Sequence, residues 1–479
     1  MDSAGFWMLG LVAVLMIGSG LPAFIVLVGV SVLFAALGVA FGALPLALLT
    51  ALPQRIVGLL ENDLLQALPL YVAMGALLNR LPLADILFRA GNAVFARTGA
   101  AAALSAIGLG AMLAPMNGSV GASAATLARV IQPRLLARGV SPGESLAIVC
   151  VASTLGVVVP PSLVLILLGD AMLRAHTEAV NATGVLVRVI NTQDVFRGAL
   201  LPAAIFLLAC AGIAWWRGRV SADAGVAASE DRVSWRGWAT ATVTLALIIG
   251  LLAAVVSGHL YAVEAAATGA LALVAFGAAT RSLDGAALTL VLRDTMAVTG
   301  ALFALFVAAT TFTLVFRGFG TDRLLAMLVA QLPGGTTAAA ITVIVVLGLC
   351  AFVLDAFEII LVIVPLIMPA LLARVPDAVW MSVLTLLALQ ASCLIPPFGY
   401  AVMMARTTAT RPAPQGAVTR ALVPFLAAQL VVLALTTAFP QLTHLIENAI
   451  APVAKPALSD EEARRKLDRL APPPGDPDR

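Results

Sequence analysis

Two pairs of adjacent prolines, Pro160-Pro161 and Pro396-Pro397, interrupt two long apolar segments. Proline has no N–H to donate and its ring collides with the preceding turn, so a helix breaks where it stands. The break leaves backbone carbonyl oxygens without partners. In a lipid-surrounded segment those oxygens must be buried in protein or line a cavity. Two further stretches set polar residues inside apolar sequence, Pro115-Met-Asn-Gly-Ser-Val-Gly121 and Leu354-Asp-Ala-Phe-Glu358. Carbonyls, small hydroxyls, amides and a carboxylate are the donor set of a hard cation, and the N-terminus of a resumed half-helix suits an anion. The first candidate ion site joins Asn117, Gly118 and Ser119 to Gly156 and Pro160; the second joins Asp355 to Ser392, Pro396 and Gly399. Val120, Gly121, Pro161, Ser162 and Pro397 are the candidate substrate contacts. Glycine at a tip lets backbone approach an ion closely. Bland alternatives stay open: Asn117, Ser119, Ser162, Asp355 and Glu358 can all serve as helix caps.

Other chemistries find little support. Cys150, Cys210, Cys350 and Cys393 lie in apolar segments without CxxC spacing, as buried thiols do. His176, His259 and His444 are isolated, so sequence neighbours assemble no transition-metal site. With no nucleophile–base constellation either, neither an enzyme nor a cofactor is expected.

The elements that must hold these residues are membrane helices. The chain has 479 residues, 61% hydrophobic and 11% charged, against about 25% charged in soluble domains. Its net charge of +3 gives no reason to expect nucleic acid. The start lacks a basic n-region, so the first helix is expected to stay in the mature protein. Residues 1–99 read as scaffold helices with an interfacial arm, including mildly amphipathic stretches at 45–65 and 83–95. Residues 100–173 read as a re-entrant hairpin, its second arm ended by Pro133-Arg134 and Arg138, followed by the first broken helix. Residues 174–236 hold a polar insert (176–196), a connecting helix and a hydrophilic linker (217–236). Residues 237–333 repeat the scaffold and arm, with a polar run at Thr310-Thr-Phe-Thr313. Residues 334–410 repeat the hairpin and broken helix, 411–445 hold the last span, and the charged, Pro-rich 446–479 reads as disordered.

The halves keep register. Pro160 and Pro396 differ by 396 − 160 = 236, and Pro133 and Pro369 by 369 − 133 = 236; Arg80-x4-Asp85 and Arg317-x4-Asp322 differ by 237. With the first hairpin entering from the cytoplasm, 15 arginines fall inside and 7 outside, the tail uncounted. The second hairpin then enters from the opposite face. The predicted fold is an all-α polytopic membrane protein, an inverted repeat with two re-entrant hairpins and two broken helices.

These motifs carry a family resemblance. Asn62-Asp-Leu-Leu-Gln-Ala-Leu-Pro-Leu-Tyr-Val-Ala-Met-Gly75, Leu83-Ala-Asp-Ile-Leu-Phe-Arg89, Asn117-Gly-Ser-Val-Gly-Ala-Ser-Ala-Ala-Thr126 and Gly156-Val-Val-Val-Pro-Pro-Ser162 resemble the large membrane subunit of tripartite ATP-independent periplasmic (TRAP) transporters. Val263-Glu-Ala-Ala-Ala267, 355–369 and Pro396-Pro-Phe-Gly399 fit the same pattern. The resemblance runs to about residue 445 and rests on the ordered set, since each motif alone is weak. It implies a sodium-driven elevator importer of organic acids in the bacterial inner membrane. The partners implied are a small four-helix membrane subunit, expected as a separate chain, and a periplasmic substrate-binding protein. The coupling ion, Na+, would use the two ion sites above. Two features depart from the family: the tip Asn117-Gly-Ser-Val-Gly121, where Ser-Gly-Ser-Ser is common, and the length of the 176–196 insert. The competing readings are a stand-alone carboxylate carrier of similar fold and, from another class, an intramembrane enzyme or scaffold.

Overall fold

Inside lipid every backbone polar group must be satisfied within the protein, which favours helices. The computed structural model is helical throughout, with no strand among its described residues. Those residues are 3–61, 63–117, 119–160, 162–184, 188–221 and 233–446. The expected disordered tail from 447 onward and linker residues 222–232 lie outside them. Seven described helices are long and apolar enough to cross a membrane, or eight counting the pair Leu46–Leu60 and Leu65–Arg80, bent by 53°.

The first half runs α1 (Ala4–Ser19), α2 (Ala23–Ala40), α3 (Leu46–Leu49), α4 (Leu52–Leu60), α5 (Asp63–Arg80) and the arm α6 (Leu83–Val94). Then come the hairpin arms α7 (Ala101–Leu113) and α8 (Val120–Ala137), the half-helices α9 (Pro142–Val158) and α10 (Leu163–Thr183), and α11 (Thr192–Ser221). The second half runs α12 (Trp235–Ser257), α13 (Ala262–Ala279), α14 (Gly285–Gly318) and the arm α15 (Thr321–Ala330). Its hairpin is α16 (Thr336–Cys350), α17 (Ala356–Glu358), a π-helical turn (Ile359–Ile363) and α18 (Val364–Leu372). The half-helices α19 (Ala378–Leu394) and α20 (Tyr400–Thr407) and the last span α21 (Gln415–Ala438) follow.

The repeat is built into the caps. Ser141 caps α9, accepting from Glu144 N–H at 3.3 Å, and Asp377 caps α19, accepting from Trp380 N–H at 2.9 Å. These caps differ by 377 − 141 = 236, and both helices have 17 residues. Ser119 and Asp355, the N-cap residues of the two second arms, differ by 355 − 119 = 236.

Burial separates core from periphery. Within the Pro142–Thr183 span, 94% of the most apolar window is buried, against 22% in α12 and 33% in α2. The half-helices therefore form the protein core, while α2 and α12 present apolar side chains outward, as lipid-facing helices do. Arginines tie each arm to its hairpin. Arg134 pairs with Asp85 and lies 5.1 Å from the Phe88 ring centroid. Arg374 donates to the carbonyls of Val329 (3.1 Å) and Leu332 (2.8 Å) at the end of α15.

Three expectations about element limits change. First, α10 runs to Thr183, and α11 begins at Thr192, so most of the 176–196 insert is helix. Its polar residues Glu178, Asn181 and Thr183 resemble a loop in sequence, yet they extend an existing helix until Gly184, at φ 67°, stops it. Second, α8 passes through Pro133 to Ala137. A single interior proline removes one bond, and the helix stops at Gly139 (φ 79°), where Val140 N–H turns back to Leu135 O at 3.0 Å. Third, the 45–65 stretch is two short helices and the start of α5.

Candidate functional site

In an α-helix the N–H of residue i+4 serves the carbonyl of residue i. Pro160 and Pro161 therefore leave the Gly156 and Val157 carbonyls without helical donors. The first hairpin tip closes on this break. A cavity of about 10 Å³ there is lined by Ala114, Pro115, Ser119, Val120, Ser153, Gly156, Leu163 and Val164. That is about the space of one water-sized sphere. A side chain at 156 would crowd it, since a Cβ there would come within 2.5 Å of the Ala114 carbonyl oxygen. Ser123 Oγ donates to that carbonyl at 3.3 Å, and Ser153 Oγ donates to Cys150 O at 2.8 Å. Ser119 and Ser162 both act as caps, their Oγ atoms accepting from Ala122 N–H and Leu165 N–H at 3.1 Å. Each hydroxyl oxygen retains lone-pair capacity for a cation.

The second break repeats the arrangement with a charge added. Pro396 and Pro397 leave the Ser392 and Cys393 carbonyls without helical donors; the bond between the prolines is cis. Ile395 N–H reaches Ser392 O only at 3.3 Å. Gly399 lies against Cys393 O, where a Cβ would collide. Ser392 Oγ lies 3.1 Å from Gly348 O, joining the break to the end of α16. At the tip, Asp355 N–H donates to Glu358 Oε2 at 3.0 Å. Asp355 Oδ1 is buried without a hydrogen-bond partner among the described residues. Asp355 lies within electrostatic reach of Cys393 at the break and of Tyr400 at the start of α20.

Tyr400 links the halves. A Cβ on Gly121 would come within 2.7 Å of Tyr400 Oη, so glycine there lets the second arm of hairpin one lie against the phenol.

The fold thus brings Ser119, Val120 and Gly156 around one cavity and sets Asp355, Ser392 and Gly399 at the other break. Pro160 and Ser162 are buried at the first break, and Pro396 is half-buried at the second. Pro397 is exposed beside the 65%-exposed Phe398, turned away from the core. Gly118, Pro161 and the side chain of Asn117 lie outside the described residues. Sequence reasoning missed Ala114, Ser153, Gly348 and Tyr400. Only Ser153 left a signal, lying one turn before Gly156 on the same helix face.

The two breaks differ in what they could offer a cation: the first cavity is a one-water space in a largely apolar lining, with Ser119 and Ser153 as its hydroxyl residues, and the second tip has the unpartnered Asp355 Oδ1.

The family model described as Tripartite ATP-independent periplasmic transporter, DctM component, matches residues 9–442. The chain is 25% identical over 394 residues to the C4-dicarboxylate TRAP transporter large permease protein DctM of Pseudomonas aeruginosa, covering 81% of this chain and 87% of that one. It is 23% identical over 405 residues to the ectoine TRAP transporter large permease protein TeaC of Halomonas elongata, covering 83% and 89%. Its fold is similar to the crystal structure of the Alcanivorax borkumensis YdaH transporter, described as having an unusual topology. That match has a TM-score of 0.59 and 17% identity, and covers 90% of this chain and 98% of that one.

Proposed function

Since this chain belongs to the DctM component family of tripartite ATP-independent periplasmic transporters, we propose that it is the large permease of a sodium-coupled importer of small organic acids. The observation that carries the reading is the matched pair of broken helices, whose caps keep a 236-residue offset, the first break packed on its hairpin tip and the second hydrogen-bonded to the end of α16. On this reading one sodium sits at Asn117, Gly118, Ser119, Gly156 and Pro160, with Ala114 and Ser153 beside them. A second sits at Asp355, Ser392, Pro396 and Gly399. The substrate carboxylate lies at the half-helix N-termini, near Val120, Gly121, Pro161 and Ser162, where backbone N–H groups point outward. Pro397, being exposed, has the weakest support. C4-dicarboxylates and ectoine, the compounds in the relatives' names, all carry carboxylates, so organic acids are the class proposed.

The hairpins and half-helices, 100–183 with α10 taken to its end and 334–410, move as one body against the scaffold, carrying ions and substrate across the inner membrane. A small membrane subunit and a periplasmic binding protein complete the assembly. The test is uptake of C4-dicarboxylates and ectoine into proteoliposomes, with and without both partners and an inward sodium gradient. Accumulation is expected only when all are present. Robust uptake by the permease alone, or sodium-free uptake driven by a pH gradient, overturns the reading.

Inverted topology is part of the proposal. Cysteines replacing Thr98 and Thr336, before the two hairpins, should label from opposite sides with an impermeant thiol reagent in a cysteine-free background. Labelling of both from one side removes it.

A further inference from the structure

Two cavities lie along the seam between α14 and α15 on one side and α10 and α18 on the other. One, about 450 Å³, is lined by Arg55, Asp170, Arg174, Glu178, Thr310 and Arg317 among others. Its neighbour, about 670 Å³, is lined by Glu178, Arg317, Asp322, Arg323 and Arg374 among others. Glu178 and Arg317 belong to both. They form a two-pronged ion pair, Nη1 to Oε1 and Nη2 to Oε2, each at 2.9 Å. Arg317 Nη2 also donates to the Pro365 carbonyl at 3.0 Å. This ion pair therefore lies where the two spaces adjoin.

Charge and position suggest what passes. In the first cavity three guanidinium groups face two carboxylates. Asp170 pairs with Arg174 at 3.1 Å and Glu178 with Arg317, while Arg55 makes no ion pair to a described residue. The space has a positive excess. The Arg317–Glu178 pair is part-exposed, Arg317 at 32% and Glu178 at 46% of the side chain, and ion pairs that water reaches are weak. A carboxylate of similar shape can take Glu178's place on the same guanidinium fork. The pair also crosses between bodies. Arg317 ends scaffold helix α14, Glu178 lies on α10 beyond the first break, and Pro365 lies on the second hairpin. If these bodies slide, the pair can form at only one end of the stroke.

We propose that the two cavities form one carboxylate port, closed by the Arg317–Glu178 pair and opened when an incoming carboxylate replaces Glu178 on Arg317. The pair then serves as both gate and latch. The sliding component rests on the transporter reading above; the gate and its charge selectivity do not.

The test needs no transport. In the full-length chain with its four native cysteines replaced, Thr310→Cys places a thiol in the first cavity. Its modification by an anionic sulfonate methanethiosulfonate reagent is compared with that by a cationic trimethylammonium one. Each rate is divided by that reagent's rate with a free thiol in solution. The normalised anionic rate should exceed the cationic one. Glu178→Gln should raise the anionic rate about tenfold, the low end of what a charged cleft does to on-rates. Arg317→Gln should erase the anion preference. If that variant misfolds, Arg317→Lys keeps the charge but loses the fork, and should show fast anionic modification without any change at Glu178. Equal normalised rates in the parent protein, or an anionic rate unmoved by Glu178→Gln, overturns the port. Uptake is measured separately, so failure of the transporter reading is distinguishable from failure of the gate.

Discussion

Asp355→Asn should leave a folded protein whose second sodium site no longer fills across the range where the parent saturates. Asp355 opens the second arm of the second hairpin, and its Oδ1 is buried without a hydrogen-bond partner. Its nearest acidic neighbour, Glu358, adds like charge one turn away. Taking a carboxylate out of water costs several kcal/mol, which the capping box with Glu358 offsets only in part, and acids at membrane depth are kept mainly where they function. A sodium ion at the tip supplies the missing charge. Unit charges about 4 Å apart at an effective dielectric near 20 attract by roughly 4 kcal/mol, so losing the carboxylate should weaken binding on the order of 100-fold or more.

Asparagine keeps the shape and one acceptor oxygen, which separates charge from packing. The direct readout is the sodium-induced rise in unfolding temperature of the purified protein, which follows ligand concentration over Kd. The part of that rise due to the second site should shift to far higher sodium in Asp355→Asn, leaving the first-site part in place. An unchanged midpoint would mean that the carboxylate is no ligand and that Asp355 only shapes the tip. Ser119→Ala, at the repeat-related position, makes the contrast. It removes a neutral oxygen and a cap contributing about 1 kcal/mol, so a smaller shift is expected.

The breaks were legible because proline acts locally. Pro160 and Pro396 remove donors whatever surrounds them, and the helices end at Val158 and Leu394. The tips were legible because glycine, serine and aspartate inside apolar sequence have few other uses. The 236-residue register was legible from Pro133 and Pro369, although both turn out to be interior to helices and not their ends. What could not be read is set by tertiary approach. The Ala114 carbonyl meeting Gly156, Gly348 meeting Ser392, and Tyr400 lying on Gly121 join residues 42 (156 − 114), 44 (392 − 348) and 279 (400 − 121) positions apart. No local pattern encodes such pairs. The extension of α10 to Thr183 was hidden for another reason: Glu178 and Thr183 are polar because that end of the helix faces the seam and water. The π-helical turn at Ile359–Ile363 sits in a run of apolar residues equally compatible with α-helix. Such turns recur at functional sites, and this one directly follows the Asp355–Glu358 tip.

Replacing Pro160 and Pro161 together with alanine should close the first break and weaken sodium binding while leaving expression normal. Alanine restores N–H donors to the Gly156 and Val157 carbonyls, and the chain between Val158 and Leu163 can then continue as helix. An interior proline disfavours a helix by roughly 3 kcal/mol relative to alanine, so the substitution need not destabilise the fold. It does occupy the two carbonyls freed at the break, one of them on Gly156, which lines the cavity of about 10 Å³ at the tip. A hydrogen bond to a charged group contributes about 1.5–3 kcal/mol. If a carbonyl–sodium contact is of similar size, losing two should weaken the ion by 100-fold or more. Asp355 remains intact in this variant, so a residual sodium response at the second site is expected, with reduced cooperativity in the sodium titration of uptake. Asp355→Asn should leave the complementary residue of binding at the first site. A double-proline variant that expresses well and keeps the parent's sodium titration, in both midpoint and steepness, would show that the break is a packing device and that the ion is held elsewhere.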